Sequence, residues 1–197
     1  MLCPICDSKI SIRLHQKPGL SVVVCSSCSF VGADLDEWEY PYYSHDYYPV
    51  IDPQNVIPDR PFIKHRVRQI LQRKKFGKAV DLGCGLGETA VALARAGYDA
   101  FGVEESENAV RFLKSTYPDV HWYQMSITDF IQDEGCFDVI SLFHVLEHIP
   151  SPKMLCRSLS QALNPNGLLV VEVPDAGGGQ ARLRGWNWQH WLPHHVN

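Results

Sequence analysis

No long apolar run occurs in this chain. Its 197 residues are 45% hydrophobic, yet no stretch approaches the ~20 apolar residues that a membrane-spanning helix needs. The start, Met1-Leu2-Cys3-Pro4, lacks the basic and apolar regions of a secretory leader, which favours a cytoplasmic location. An excess of positive charge is also missing. Eighteen Lys and Arg stand against 22 Asp and Glu, a net charge of −4, so nothing global draws the chain to nucleic acid or an anionic membrane. Two further absences concern the glycine-rich stretch after Val80. No Gly-Lys-Ser/Thr follows it, so it is not a phosphate-binding loop of the ATPase type. Glu88 stands where the dinucleotide pattern G-x-G-x-x-G requires its third glycine, so NAD is discounted.

What is present there is Asp81-Leu82-Gly83-Cys84-Gly85-Leu86-Gly87, between a short apolar run and a helix-like segment that Gly97 closes. Glycines on a strand-to-helix turn let a ligand approach the backbone. The helix that follows offers free N–H groups and a positive dipole end. The alternative for the turn by itself, less favoured, is a tight strand–helix connection with no ligand.

Seven cysteines would suggest disulfides in a secreted chain, but in a reducing compartment four of them read as metal ligands. Cys3-Pro4-Ile5-Cys6 and Cys25-Ser26-Ser27-Cys28 are two C-x-x-C units with eighteen residues between them, inside the spacing window for zinc. The segment between reads as a hairpin around Pro18-Gly19. The whole resembles a zinc ribbon over residues 1–36. Four thiolates leave no open position, so the metal should be structural, with iron as the lesser alternative. Residues 37–60 follow as an aromatic linker or lid, with Trp38, Tyr40, Tyr42, Tyr43, Tyr47 and Tyr48 among helix-breaking prolines.

From residue 61 onward strands and helices alternate, which implies parallel pairing with right-handed crossovers. Apolar spacing predicts a helix over Phe62 to Phe76, basic on its outer face. Strands are expected at Lys78–Leu82, Asp99–Val103, Val120–Gln124, Phe137–Leu142 and Leu168–Val173, and helices at Glu88–Ala96, Ser106–Tyr117 and Pro152–Leu163. Asn164-Pro165-Asn166-Gly167 reads as a turn and Gly177-Gly178-Gly179 as a mobile loop. Glu104 ends the second of these strands, where an acid can accept hydrogen bonds from both ribose hydroxyls of a nucleoside.

The D-x-G-x-G-x-G stretch, the run Gly102 to Val110, and the block F-D-V-I-x-x-x-H-V-L-E-H-I, helix, N-P-x-G-x-L-x-V-x-V-P occur in order. Over about residues 78–197 they resemble the class I S-adenosylmethionine-dependent methyltransferases, broadly the ubiquinone-biosynthesis-like and type 11, 12 or 23 group. The resemblance implies an α/β fold, a Rossmann-like doubly wound parallel sheet, as a methyltransferase domain over residues 61–197. It implies S-adenosylmethionine as cofactor, held by Asp81, Gly83, Cys84, Gly85, Gly87, Glu104, Glu105, Ser126, Ile127, Phe143 and His144. The family's adenine-contacting Asp is replaced by Ser126.

His144 lies just past a strand end, where it is a candidate for the methionine part of the cofactor or for general base, together with His194 and His195. His144 and His148 share a helical face and could hold a second metal. Glu147-His148 reads preferentially as a hydrogen-bonded structural turn. The family's sixth and seventh strands have no counterpart after Val173, so a C-terminal truncation, or edge-to-edge pairing into a homodimer, is expected. Methyl transfer to a small-molecule O, N or C nucleophile is the function implied. The alternatives are an RNA methyltransferase with a zinc ribbon, disfavoured by the acidic balance, and a non-catalytic cofactor-binding module.

Overall fold

A computed structural model describes residues 2–10, 12–17, 20–33, 51, 56–190 and 195. It divides into two compact units: residues 43–143 with 157–171, and residues 1–42 with 144–156 and 172–197. Most of the aromatic linker lies outside the described residues.

The first unit is an α/β layer structure. Helix α1 (Pro61–Leu71) starts with proline at its first turn and buries Ile63, Val67 and Ile70. It ends five residues earlier than its apolar spacing predicts. The Lys74 carbonyl accepts from the Tyr98 hydroxyl instead of a helical amide, and Lys74 Nζ pairs with Asp138 at 3.1 Å. Other cations of this segment are also paired: Lys64 with Asp59 at 3.5 Å and Lys78 with Glu134 at 3.7 Å. Three cations of the segment are therefore neutralised locally, which weakens a nucleic-acid reading.

Strands β4 (Lys78–Leu82), β5 (Asp99–Glu104) and β6 (His121–Gln124) alternate with helices α2 (Glu88–Arg95) and α3 (Glu107–Thr116). A helix absent from the sequence reading, α4 (Ile127–Asp133), precedes β7 (Phe137–Phe143). Then come α5 (Pro152–Gln161) and β8 (Leu163–Glu172). The sheet order is β6-β5-β4-β7-β8, and β4 pairs in parallel with both β5 and β7. The chain thus starts in the middle, works outward to β6, then crosses to the other side. Such a reversal leaves a crevice at the carboxyl ends of β4 and β7, where ligands of open α/β sheets bind. β4 and β7 are almost wholly buried, as strands covered on both faces must be. Phe101, Phe130 and Phe137 pack with ring centroids 5.4–5.7 Å apart beneath one end of the sheet.

The expected turn at Asn164-Pro165-Asn166-Gly167 is instead the first part of β8. Its turn chemistry survives as one left-handed residue, Asn166, at φ 61°. Proline is tolerated there because β8 is an edge strand, where a missing N–H costs no ladder bond.

In the second unit, β1 (Ile12–Lys17), β2 (Leu20–Val24) and β3 (Val31–Ala33) form an antiparallel sheet. The hairpin matches the sequence reading, while β3 adds a strand. Val22, Val23, Cys3 and Cys25 are buried. The expected loop at Gly177–Gly179 is short: Gly178 caps α6 (Gly179–Arg184).

Candidate functional site

All three glycines after β4 are left-handed, with φ of 65° at Gly83, 56° at Gly85 and 74° at Gly87. An L side chain is strained at each, so the D-x-G-x-G-x-G spacing is a backbone requirement. Gly87 is also the N-cap of α2. A Cβ there would stand 2.6 Å from both Leu113 Cδ2 and Trp122 Cη2.

Glu104, at the end of β5, is fastened to this turn. Gly85 N–H donates to Glu104 Oε2 at 2.9 Å, and Ser106 N–H donates to Oε1 at 3.0 Å. Each carboxylate oxygen keeps lone-pair capacity for another donor. Ser106 N-caps α3, accepting from Ala109 N–H at 3.4 Å, so β5 and its helix fix the carboxylate's direction. Glu105 is exposed.

Asp81 sits under the turn, 4% exposed, and accepts from Ser141 Oγ of β7 at 2.7 Å. Burial pushes its carboxyl up to about 7, against the pull of the Ser141 hydroxyl and the Arg66 guanidinium. Arg66 stands 4.1 Å over the ring of Phe143, at the end of β7. Because the folded state raises this acid above its ordinary value, ionising Asp81 costs stability. The cost begins near pH 4 and is complete above about pH 7. Asp81→Asn is therefore expected to raise the melting temperature of the ligand-free protein at pH 8 by about 5 °C, and to leave it unchanged near pH 4. Thermal melts across that range check this.

Cys84 is pushed well up by burial, then by Asp81 and Glu104. Its sulfur packs close to Gly102, where an added Cβ would lie 3.1 Å away. This is an inert thiol rather than a nucleophile. Ser126 is the N-cap of α4: its Oγ accepts from Asp129 N–H at 3.1 Å and lies 2.7 Å from Asp129 Oδ2. Ile127 opens that helix. The signal for α4 was Ser126-x-x-Asp129, a capping pattern that the reading of Ser126 as an adenine contact passed over.

A reversed-order parallel sheet, left-handed glycines and a carboxylate anchored on them form a nucleoside-cofactor arrangement. The sequence model of the methyltransferase domain family matches residues 59–197. The chain belongs to that family. The ubiquinone biosynthesis O-methyltransferase of Actinobacillus pleuropneumoniae serotype 5b is 36% identical over 108 residues, covering 50% of this chain and 46% of that protein. The chain thus spans about half the length of the curated relatives it matches. An S-adenosylmethionine-dependent methyltransferase from Mesorhizobium loti has the same fold, with a TM-score of 0.50 and 22% identity over 59% of this chain and 55% of its own. Coclaurine N-methyltransferase, solved with N-methylheliamine and SAH, has a TM-score of 0.50 and 19% identity, over 57% of this chain and 34% of its own. These two establish the class I fold.

The other unit holds two further clusters. Cys3, Cys6, Cys25 and Cys28 bring their sulfurs within 4.8 Å of one another, with 3.6 Å between Cys3 and Cys28 and between Cys6 and Cys25. A tetrahedron with ~2.3 Å zinc–sulfur bonds has edges of about 3.8 Å, so the four thiols fit one ion and are too far apart for disulfides. Each knuckle closes alike: Asp7 N–H donates to Cys3 O at 3.0 Å and Ser29 N–H to Cys25 O at 2.9 Å. Asp7 and Ser29, each four residues past the first cysteine of its pair, are left-handed, at φ 61° and 62°. The Ser8 side chain and backbone draw Cys6 down to about 6, which favours the thiolate a metal needs.

His144, the residue after β7, is also left-handed, at φ 59°. Its Nδ1 lies 3.4 Å from Glu147 Oε1 and its Nε2 3.2 Å from Glu172 Oε1. The rings of His144 and His190 stack at 6.5 Å, and those of His190 and His195 at 6.0 Å. The structure thus gathers His144, His148, His190 and His195, of which the sequence reading singles out His144, His148 and His195. His194 lies outside the described residues. The expected hydrogen-bonded turn at Glu147-His148 is present as a single 3₁₀ turn, Leu146–His148, with His148 N–H donating to Val145 O at 2.9 Å, but neither Glu147 carboxylate oxygen has a hydrogen bond among the described residues.

Proposed function

We propose that the chain is an S-adenosylmethionine-dependent methyltransferase acting on a small-molecule oxygen, nitrogen or carbon nucleophile. The observation that carries this is the left-handed Gly83-Gly85-Gly87 turn with Glu104 bonded to the Gly85 amide. In this reading the turn, with Cys84 among its residues, takes the methionine and ribose portion of the cofactor. Glu104 accepts from the ribose hydroxyls, Glu105 flanks it, and Ser126 and Ile127 border the adenine. Asp81 and Phe143, at the ends of β4 and β7, border the sulfonium and ammonium. A cation there favours ionised Asp81, so affinity for the cofactor should fall as pH drops below about 7.

Methyl transfer is an in-line displacement: the acceptor's lone pair forms the new bond to the methyl carbon as the carbon–sulfur bond breaks, and its electrons stay on sulfur. The protein's share is positioning and exclusion of water. His144, held between two carboxylates, is the proposed general base for a protonated acceptor, with His194 and His195 as further candidates. The O-methyltransferase names of the relatives support a hydroxyl acceptor. The four cysteines are proposed to hold a structural zinc ion in a ribbon domain over residues 1–36. A homodimer formed through the β8 edge is proposed too. None of the described helices is long and apolar enough to cross a membrane.

Calorimetry with S-adenosylmethionine tests the reading. Glu104→Ala is expected to weaken binding about 10- to 100-fold, the loss of charge-assisted hydrogen bonds. No heat of binding at millimolar cofactor, from protein that retains its zinc, would sink the reading.

A further inference from the structure

Among the described residues, the two carboxylate oxygens of Glu147 are the buried side-chain polar atoms left without a hydrogen bond. The residue is 1% exposed. Burying a carboxylate without a partner is costly, and proteins avoid it by pairing the charge or coordinating it to a metal. The His144 ring nitrogen at 3.4 Å is a contact of ion-pair length, and that side chain is 48% exposed. It compensates the buried charge only in part.

Two more donors converge on the same carboxylate. One ligand atom from each of Glu147, His148 and His195 lies within 4.8 Å of the others. The imidazoles of His148 and His195 meet edge to face, with centroids 4.9 Å apart and planes at 72°. Ligand atoms around a tetrahedral ion with ~2.1 Å bonds stand about 3.4 Å apart, so small side-chain rotations bring these three onto one centre.

The geometry points to a second metal site, a divalent first-row transition ion held by Glu147, His148 and His195. Two imidazoles and one carboxylate suit zinc, cobalt, iron or manganese, and do not suit magnesium or calcium, which prefer all-oxygen shells. Three protein ligands leave a position open for water or an anionic oxygen, unlike the closed four-thiolate centre. His144 stands beside this site rather than within it. Glu147 therefore replaces His144 as the partner of His148, and His195 is a metal ligand before it is a base. The site stands on the donor geometry alone and not on the proposed methyl transfer.

Cobalt(II) titration of the full chain separates the two centres. Thiolate coordination gives intense near-ultraviolet charge-transfer absorption, and a nitrogen–oxygen site gives only weaker visible bands. Wild-type protein is expected to bind two equivalents, one with each signature. Glu147→Gln and His195→Ala should each weaken the second equivalent at least tenfold while the thiolate band persists. Removing the buried carboxylate can perturb folding, so His195→Ala, near the chain end, serves as the independent variant, and the far-ultraviolet dichroism of both is recorded. One equivalent bound by wild-type protein in excess cobalt would overturn the proposal. So would two equivalents bound as tightly by His195→Ala as by wild type.

Discussion

Cys25→Ser is expected to cost the protein one equivalent of zinc and the order of its three-stranded sheet. Cys25 is fully buried and its backbone holds both ends of the second knuckle, donating to Phe30 O and accepting from Ser29 N–H, each at 2.9 Å. Among the described residues of the lobe, the buried apolar side chains besides Cys3 and Cys25 are Val22 and Val23, a small core for a domain to fold on. Metal binding by four thiolates supplies on the order of 10 kcal/mol at neutral pH, and in a lobe this small that is folding free energy. Elemental analysis should show the loss of one zinc per chain. Amide exchange at Val22, Val23 and Val24 should accelerate by several orders of magnitude, while the β4 and β5 amides keep their protection. Unchanged metal content in the variant would contradict the four-thiolate centre.

Gly87→Ala is expected to destabilise the α/β unit by about 2–5 kcal/mol. Left-handed backbone costs an L residue about 1–2 kcal/mol, and forcing a methyl against packed neighbours adds about 1–3. Both apply, since Gly87 has φ 74° and a Cβ would press within 2.6 Å of Leu113 and Trp122. Neither neighbour can give way easily: Leu113 is fully buried, and Trp122 is fixed by its indole N–H, which donates to Tyr117 O at 2.8 Å. Thermal unfolding should fall by about 5–15 °C. Gly97→Ala is the matching control. It is also left-handed, at φ 94°, but a Cβ there meets nothing within 4 Å, so only the backbone portion of the loss is expected. Equal losses at the two positions would show that packing around Gly87 contributes nothing.

Those two substitutions also mark where the sequence was legible. The cysteine spacing and the glycine spacing are local patterns, and the structure supplies the geometry each requires: four sulfurs within 4.8 Å, and three glycines at positive φ. The alternation of strands with amphipathic helices was likewise enough to place β4, β5, β6 and β7 within a residue or so, helped in β4 and β7 by burial on both faces, which leaves a nearly continuous apolar run. Where local signals compete, the reading slipped. Helix periodicity ran through Lys74, but a hydroxyl from Tyr98 captured its carbonyl. Turn residues at 164–167 were absorbed into an edge strand. Ser126 carries a second role that the reading leaves out, as the cap of α4.

The sequence by itself determined the fold class, the pairing of the cysteines in two C-x-x-C units and the glycine turn after β4, since these rest on spacing within short segments and on regular alternation. Only the tertiary structure decided what Glu147 faces. Its neighbours in sequence suggested a structural turn, whereas its carboxylate is buried without a hydrogen bond and meets His195, forty-eight residues further along the chain. No local pattern encodes that meeting. The convergence comes from the path of the chain between them, and the cost of a buried carboxylate without a hydrogen bond is visible only once burial is known.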